Sequence, residues 1–219
     1  MLDSKGLLDI SVGPISEGYS FFRVFDSRYS ATTFPPLGLG DSRFSPLDDR
    51  FGSSLYVGDS VSTCLRECVL RFNNGMRVLP NEYLNRQVAQ VRLRRNIRVG
   101  ILDADAILEF FKLKDLEMNL DGDFEYAYYR LYAELLLTKY PEIGGFMYRS
   151  FQKSQQSNNL VVYSNRVGAD IFEAIPHSQE GLVSEKYASE LYMEANSVGI
   201  KLPYTVIEML RVFGLDVAS

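Results

Sequence analysis

Soft metal ligands are scarce in this sequence: 219 residues hold one histidine, His177, and two cysteines, Cys64 and Cys68. A structural zinc site takes four such ligands, so no metalloenzyme is expected and no metal-ligating residue is assigned. Two cysteines one helical turn apart cannot form a disulfide framework. They read as buried free thiols, compatible with a reducing compartment. Long apolar runs are lacking as well. No stretch reaches the ~20 apolar residues of a membrane span, and the opening MLDSKGLLDISVG has no apolar run of signal-peptide length. The expectation is a soluble, cytoplasmic protein without membrane contact. Positive charge is also short: 23 Lys and Arg stand against 28 Asp and Glu, a net charge of -5. General nucleic-acid binding needs a basic surface that displaces counterions from phosphates, so it is not expected.

Several enzyme templates are missing too. The GLG at 38–40 has neither the strand-then-helix context nor the third glycine of a dinucleotide fingerprint, and no GxxxxGK[ST] loop occurs. There is no G-x-S-x-G elbow. A Cys–His pair would have to join buried thiols to a histidine in a polar segment.

What the chain does have is apolar mass. Hydrophobic residues make up 46% and aromatics 13%, enough for a core that needs no staples. YSFFRVFDSRY reads as a strand with Arg23 among aromatics. The Pro-, Gly- and Asp-rich stretch after it forbids long regular structure, and Phe34, Phe44 and Phe51 within it favour a packed loop. SLYVGD is a short strand feeding a helix capped by Asp59 or Ser60. On that helix Val61, Cys64, Leu65, Cys68, Val69 and Phe72 form an apolar stripe. Glu67 falls off the stripe beside Thr63 and Arg71, as on a solvated face.

QVAQVRLRRNIRVGILD gives two strands, and the exposed face of the first accounts for Arg92, Arg94, Arg95 and Arg98 better than a nucleic-acid surface, since no stacking aromatics are interleaved. DADAILEFFKL and DFEYAYYRLYAELLLTKYP read as helices, the second stopped by Pro141. GFMYRS and LVVYS form a hairpin, and two helical segments follow, the last bounded by Pro203 and Gly214. Taken singly, Arg23, Arg43, Tyr56, Glu67 and Ser150 all have ordinary structural readings.

In combination they do not. FFRVF with Arg23, GDSRFSP with Arg43, SLYVGDSVSTCLREC with Tyr56 and Glu67, IRVGILDAD, and GGFMYRSFQKSQQSNNLVVY with Ser150 occur in one order. In that order they resemble the RES-domain family, the toxins of bacterial RES–Xre toxin–antitoxin pairs. The resemblance runs over roughly residues 20 to 165. It departs from the compact pattern at an insertion-like KLKDLEMNLDGDFEYAYY and in the length of chain after Tyr163. Residues 1–165 are read as the RES-type NAD-consuming domain and residues 166–219 as its C-terminal helical extension.

The resemblance implies an α+β fold, an ADP-ribosyltransferase-like split mixed β-sheet core with surrounding helices. It implies an enzyme that cleaves the nicotinamide–ribose bond of NAD, with phosphate, water or a protein side chain as acceptor. NAD is then a co-substrate, and no bound cofactor is expected. By the same resemblance Glu67, Arg23 and Tyr56 are catalytic, and Arg23, Arg43, Tyr56 and Ser150 bind NAD. An Xre-type antitoxin is the implied partner, with self-association an open option for the C-terminal extension. A protein ADP-ribosyltransferase and a non-catalytic interaction protein of the same fold stand as alternatives.

Overall fold

Residues 8–37, 42–70, 78–102, 123–149 and 157–214 are described by the structure, a computed structural model. Its strands are β1 (Ser11–Ile15), β2 (Ser20–Asp26), β3 (Ser54–Gly58), β4 (Arg86–Leu93), β5 (Ile97–Leu102), β6 (Gly145–Arg149), β7 (Asn158–Tyr163), β8 (Phe172–Ala174) and β9 (Glu180–Gly181). They form one mixed sheet in the order β1-β5-β6-β7-β3-β2-β4-β8, with β9 also on β4. β5 and β6 run parallel, and the other pairs are antiparallel. Period-two patterning explains β4: Ala89, Val91 and Leu93 are buried while Arg92 between them is exposed. Arg94, Arg95 and Arg98 are exposed as well, the solvated face expected of them.

The sheet divides between β2 and β3. Those strands share one register pair, Phe22 opposite Gly58, whereas β2 pairs with β4 at seven positions from Ser20 to Asp26. On either side of this joint lie two arms that share a core. Phe21, Phe25 and Val91 come from one arm, and Leu55, Val57, Leu160 and Val162 from the other. The split mixed sheet is therefore present, with helices on the outer faces.

Helix α1 (Val61–Cys68) starts where Ser60 Oγ accepts the Thr63 N–H at 3.1 Å, so Ser60 rather than Asp59 is the cap. Gly58 lets this helix lie close: a Cβ there would sit 2.9 Å from Cys64 Sγ. Helix α2 (Asp123–Lys139) stops before Pro141 and packs Tyr129, Tyr132, Ala133, Leu136 and Leu137 over β6 and β7. A short turn, α3 (Ser164–Val167), precedes β8. Helices α4 (Glu185–Ser197) and α5 (Tyr204–Val212) enclose α1 with Leu191, Ala195, Val206 and Leu210. Arg66 on α1 pairs with Glu194 on α4, both largely shielded from solvent.

Sequence reading did not reach β1, β8 or β9. β1 holds a proline and a glycine, which obscure its pattern, and β8 and β9 span three and two residues, too few for a period to show. The proposed DADAILEFFKL helix and Phe72 lie outside the described residues. Among the described residues no helix is long and apolar enough to cross a membrane.

Candidate functional site

Glu67 does not lie on a solvated face. It is 9% exposed, one of few buried charged or polar side chains. The stripe captured only one of two buried sides of α1. Val61, Cys64 and Leu65 face the core shared with α4 and α5. Thr63, also buried, lies one turn before Glu67 on another side. That side is tied to the sheet through Asp59, whose Oδ1 accepts the Thr63 hydroxyl at 2.8 Å and whose Oδ2 accepts the Asn158 N–H at 2.7 Å. Asp59 thereby fixes the start of α1 against β7, two turns ahead of Glu67.

The sheet presents Tyr148 to this side. β6 alternates Phe146 and Tyr148 into the α2-facing core and sends Met147 to the opposite face. Burial drives the Tyr148 phenol well above its ordinary pKa; Glu67 pushes it further up, then Tyr56, while Arg43 opposes and Cys68 adds to the rise. One buried tyrosine thus lies within electrostatic reach of Glu67, Tyr56, Arg43 and Cys68. It stays a neutral hydrogen-bond donor at physiological pH.

Arg43 and Tyr56 are positioned together. The Tyr56 hydroxyl accepts hydrogen bonds from Ser42 Oγ at 2.8 Å and from the Phe44 N–H at 3.0 Å, gripping the loop on both sides of Arg43. Phe44 anchors the same loop from within. It is fully buried, stacks edge-on to Tyr129 and Tyr148, and its carbonyl takes the Tyr163 hydroxyl at 2.8 Å. The Arg43 guanidinium lies 5.0 Å from the Tyr129 ring centroid, and Arg130 Nε bonds to the Ser42 carbonyl. The expected packed loop is present, with Phe51 buried and Phe34 partly so.

Arg23 is placed differently. Strand alternation sets it with Phe21 and Phe25, facing the core between the arms, while Phe22 and Val24 face α1. Its Nη1 donates to the carbonyls of Ala31 at 2.7 Å and Thr33 at 2.9 Å. Burial lowers its pKa to about 10, against the upward pull of Cys68 and Cys64. Cys68 therefore lies within reach of both Arg23 and Tyr148, although the stripe marked it only as core. The arrangement brings Arg43, Tyr56 and Glu67 around Tyr148 and sets Arg23 at the sheet's joint. Ser150 lies outside the described residues.

Sequence reasoning missed Tyr148 and Asn159, and it offered Asp59 only as a cap, not as the tie between α1 and β7. The period of two linking Phe146 to Tyr148 was the available signal for the first. Asn158 and Asn159 read as turn, but they open β7. Among the described residues no cluster of His, Cys, Asp and Glu could hold a metal ion.

Chemically, the arrangement supplies one buried carboxylate, a neutral phenol and a guanidinium on an aromatic floor. Such a set can stabilise a cationic centre next to an anionic group.

No curated protein matches the chain. Among solved structures it is similar to a chain of the M. tuberculosis MbcT–MbcA toxin–antitoxin complex. That likeness has a TM-score of 0.58 at 16% identity and covers 88% of this chain and 100% of the other. The RES domain family model matches residues 20–182, which span the joint, α1, α2 and every strand but β1. The chain belongs to the RES domain family.

Proposed function

We propose that this protein is an NAD-cleaving enzyme that breaks the nicotinamide–ribose bond. The observation that carries the reading is the burial of Glu67 within electrostatic reach of Tyr148, a reach that Arg43 and Tyr56 share. Cleaving that bond builds oxocarbenium character on the ribose, the electronic problem that glycosidases meet with carboxylates. A carboxylate held in a shielded site stabilises that charge more strongly than one in water. Glu67 takes this role. Nicotinamide leaves a cationic linkage as a neutral molecule, so no general acid is needed and a single carboxylate suffices.

Arg43 binds the diphosphate, where a guanidinium fork gives paired charge-assisted bonds. Its loop is held by Tyr56, Phe44 and α2, which makes the contact preorganised. Arg23 contributes from the joint, where its Nη1 anchors the 30–33 loop. Tyr56 lines the ribose pocket as well as gripping the loop, and Ser150 is assigned to NAD binding by the family resemblance alone. Tyr148, a neutral donor, orients the Glu67 carboxylate.

The acceptor is phosphate or water, making the protein an NAD phosphorylase or glycohydrolase; transfer to a protein side chain is the alternative. Unrestrained NAD loss would harm the cell that makes the enzyme, so we assign it as a toxin restrained by an Xre-type antitoxin. Likeness to a chain of a toxin–antitoxin complex supports an antitoxin partner. Incubating the purified chain with NAD, with and without inorganic phosphate, tests the reaction. Release of nicotinamide supports it, and a phosphorylated ADP-ribose product identifies phosphate as the acceptor.

A further inference from the structure

Asn159 lies near the start of β7, the strand between β6 and β3, and none of the roles proposed for the site uses it. Its register partners are Tyr148 on β6 and Gly58 on β3. Alternation along β7 puts its side chain with Val161 and Tyr163, on the face that carries Tyr56 and Tyr148. It is 4% exposed, and its Nδ2 is buried without a hydrogen-bond partner among the described residues. Folded chains seldom leave such a donor unmade unless it serves another purpose. Gly58 brings no side chain to one flank. On the other flank stands Tyr148, whose Cβ in a directly opposed antiparallel pair lies about 4.5–5.5 Å away.

Directly across from the tyrosine that lies within electrostatic reach of Glu67 stands this buried amide donor. We propose that Asn159 contacts substrate: its Nδ2 donates a hydrogen bond to an oxygen at the nicotinamide–ribose end of NAD. This rests on the NAD reading above. It gives the buried donor its partner in the complex and adds a neutral specificity contact to the charged ones of Arg43 and Glu67. A packing amide would behave in the opposite way on truncation. Removing a structural hydrogen bond lowers stability, whereas removing an unmet buried donor leaves stability unchanged or raises it.

The test uses the full chain and two variants, Asn159→Ala and the isosteric Asn159→Asp, which lacks the donor. kcat and KM for NAD are measured, with the melting temperature in the presence and absence of NAD. Expected for Asn159→Ala are a melting temperature equal to or above that of the wild type without NAD, a loss in kcat/KM of about ten- to hundredfold, and a smaller NAD-induced rise in melting temperature. Asn159→Asp should lose at least as much activity. Wild-type kcat/KM in Asn159→Ala, or a fall in its stability that parallels the fall in activity, overturns the assignment while leaving the NAD reading intact. A wild-type chain that neither binds nor consumes NAD overturns both.

Discussion

The Tyr56 hydroxyl accepts the Phe44 N–H at 3.0 Å, so the residue expected to touch substrate also sets the backbone that carries Arg43. With the bond from Ser42 Oγ at 2.8 Å, the phenol holds both neighbours of the arginine. Tyr56→Phe keeps the ring and deletes both bonds. Two neutral hydrogen bonds contribute about 1–3 kcal/mol together, and the loss should fall on the placement of Arg43. The expected result is a decrease of about tenfold in kcat/KM for NAD with the fold retained. Unchanged kinetics would mean that α2 alone positions the loop.

Arg43→Ala removes the guanidinium from its site above Tyr129. A lost charge-assisted contact to a phosphate is worth about 1.5–3 kcal/mol, so KM should rise by roughly ten- to hundredfold with a smaller change in kcat. Titration of NAD binding by calorimetry checks this. A normal affinity would move the diphosphate contact elsewhere.

Gly58→Ala is a packing test of how α1 is held. The added methyl would approach Cys64 Sγ to 2.9 Å and the Thr63 side chain to 3.1 Å. These groups belong to the helix that carries Glu67, so relief of the contact lifts α1 from the sheet. Overpacking of this kind costs about 1–3 kcal/mol. Urea denaturation should report that loss together with reduced turnover; stability and activity both at wild-type levels would contradict the close approach.

Alkaline pH should weaken the fold. Burial raises the pKa values of Tyr148 and Tyr163 well above 10.0 and that of Tyr132 to about 12. Below the unfolded value of 10.0 these phenols are protonated in both states, and their contribution to stability is fully present. As pH rises past 10.0, the unfolded chain releases these protons and the folded chain does not, so stability falls. Denaturant titrations from pH 9 to 12 measure the slope, and tyrosinate absorbance follows ionisation. A folded protein in which all fourteen tyrosines ionise together near pH 10 would contradict the burial of these three.

Much of the fold was legible because its patterns are long. The alternation in β4, the hairpin of β6 and β7 and the Pro-terminated α2 each span enough residues for a period to show. Elements such as β8 and β9 are defined by pairing with β4, a long-range fact that local sequence does not carry. At the site, the residue types came from resemblance and their environment from the structure. Glu67 illustrates the limit: an apolar stripe marks the side of a helix that packs on hydrocarbon, and it is blind to a second side that packs on polar groups such as Asp59 and Tyr148. Asn159 was hidden for the same reason, since a polar residue before an apolar run reads as turn.

The most direct measurement is NAD turnover by the wild type and Glu67→Gln side by side, with circular dichroism confirming that both are folded. Gln keeps the shape and removes the charge, so nicotinamide release should be present in the wild type and reduced by about a hundred- to a thousandfold in the variant, the scale of a main electrostatic catalytic contact. Glu67→Gln that releases nicotinamide at the wild-type rate would remove Glu67 from the chemistry, and a folded wild type that leaves NAD intact would contradict NAD cleavage itself.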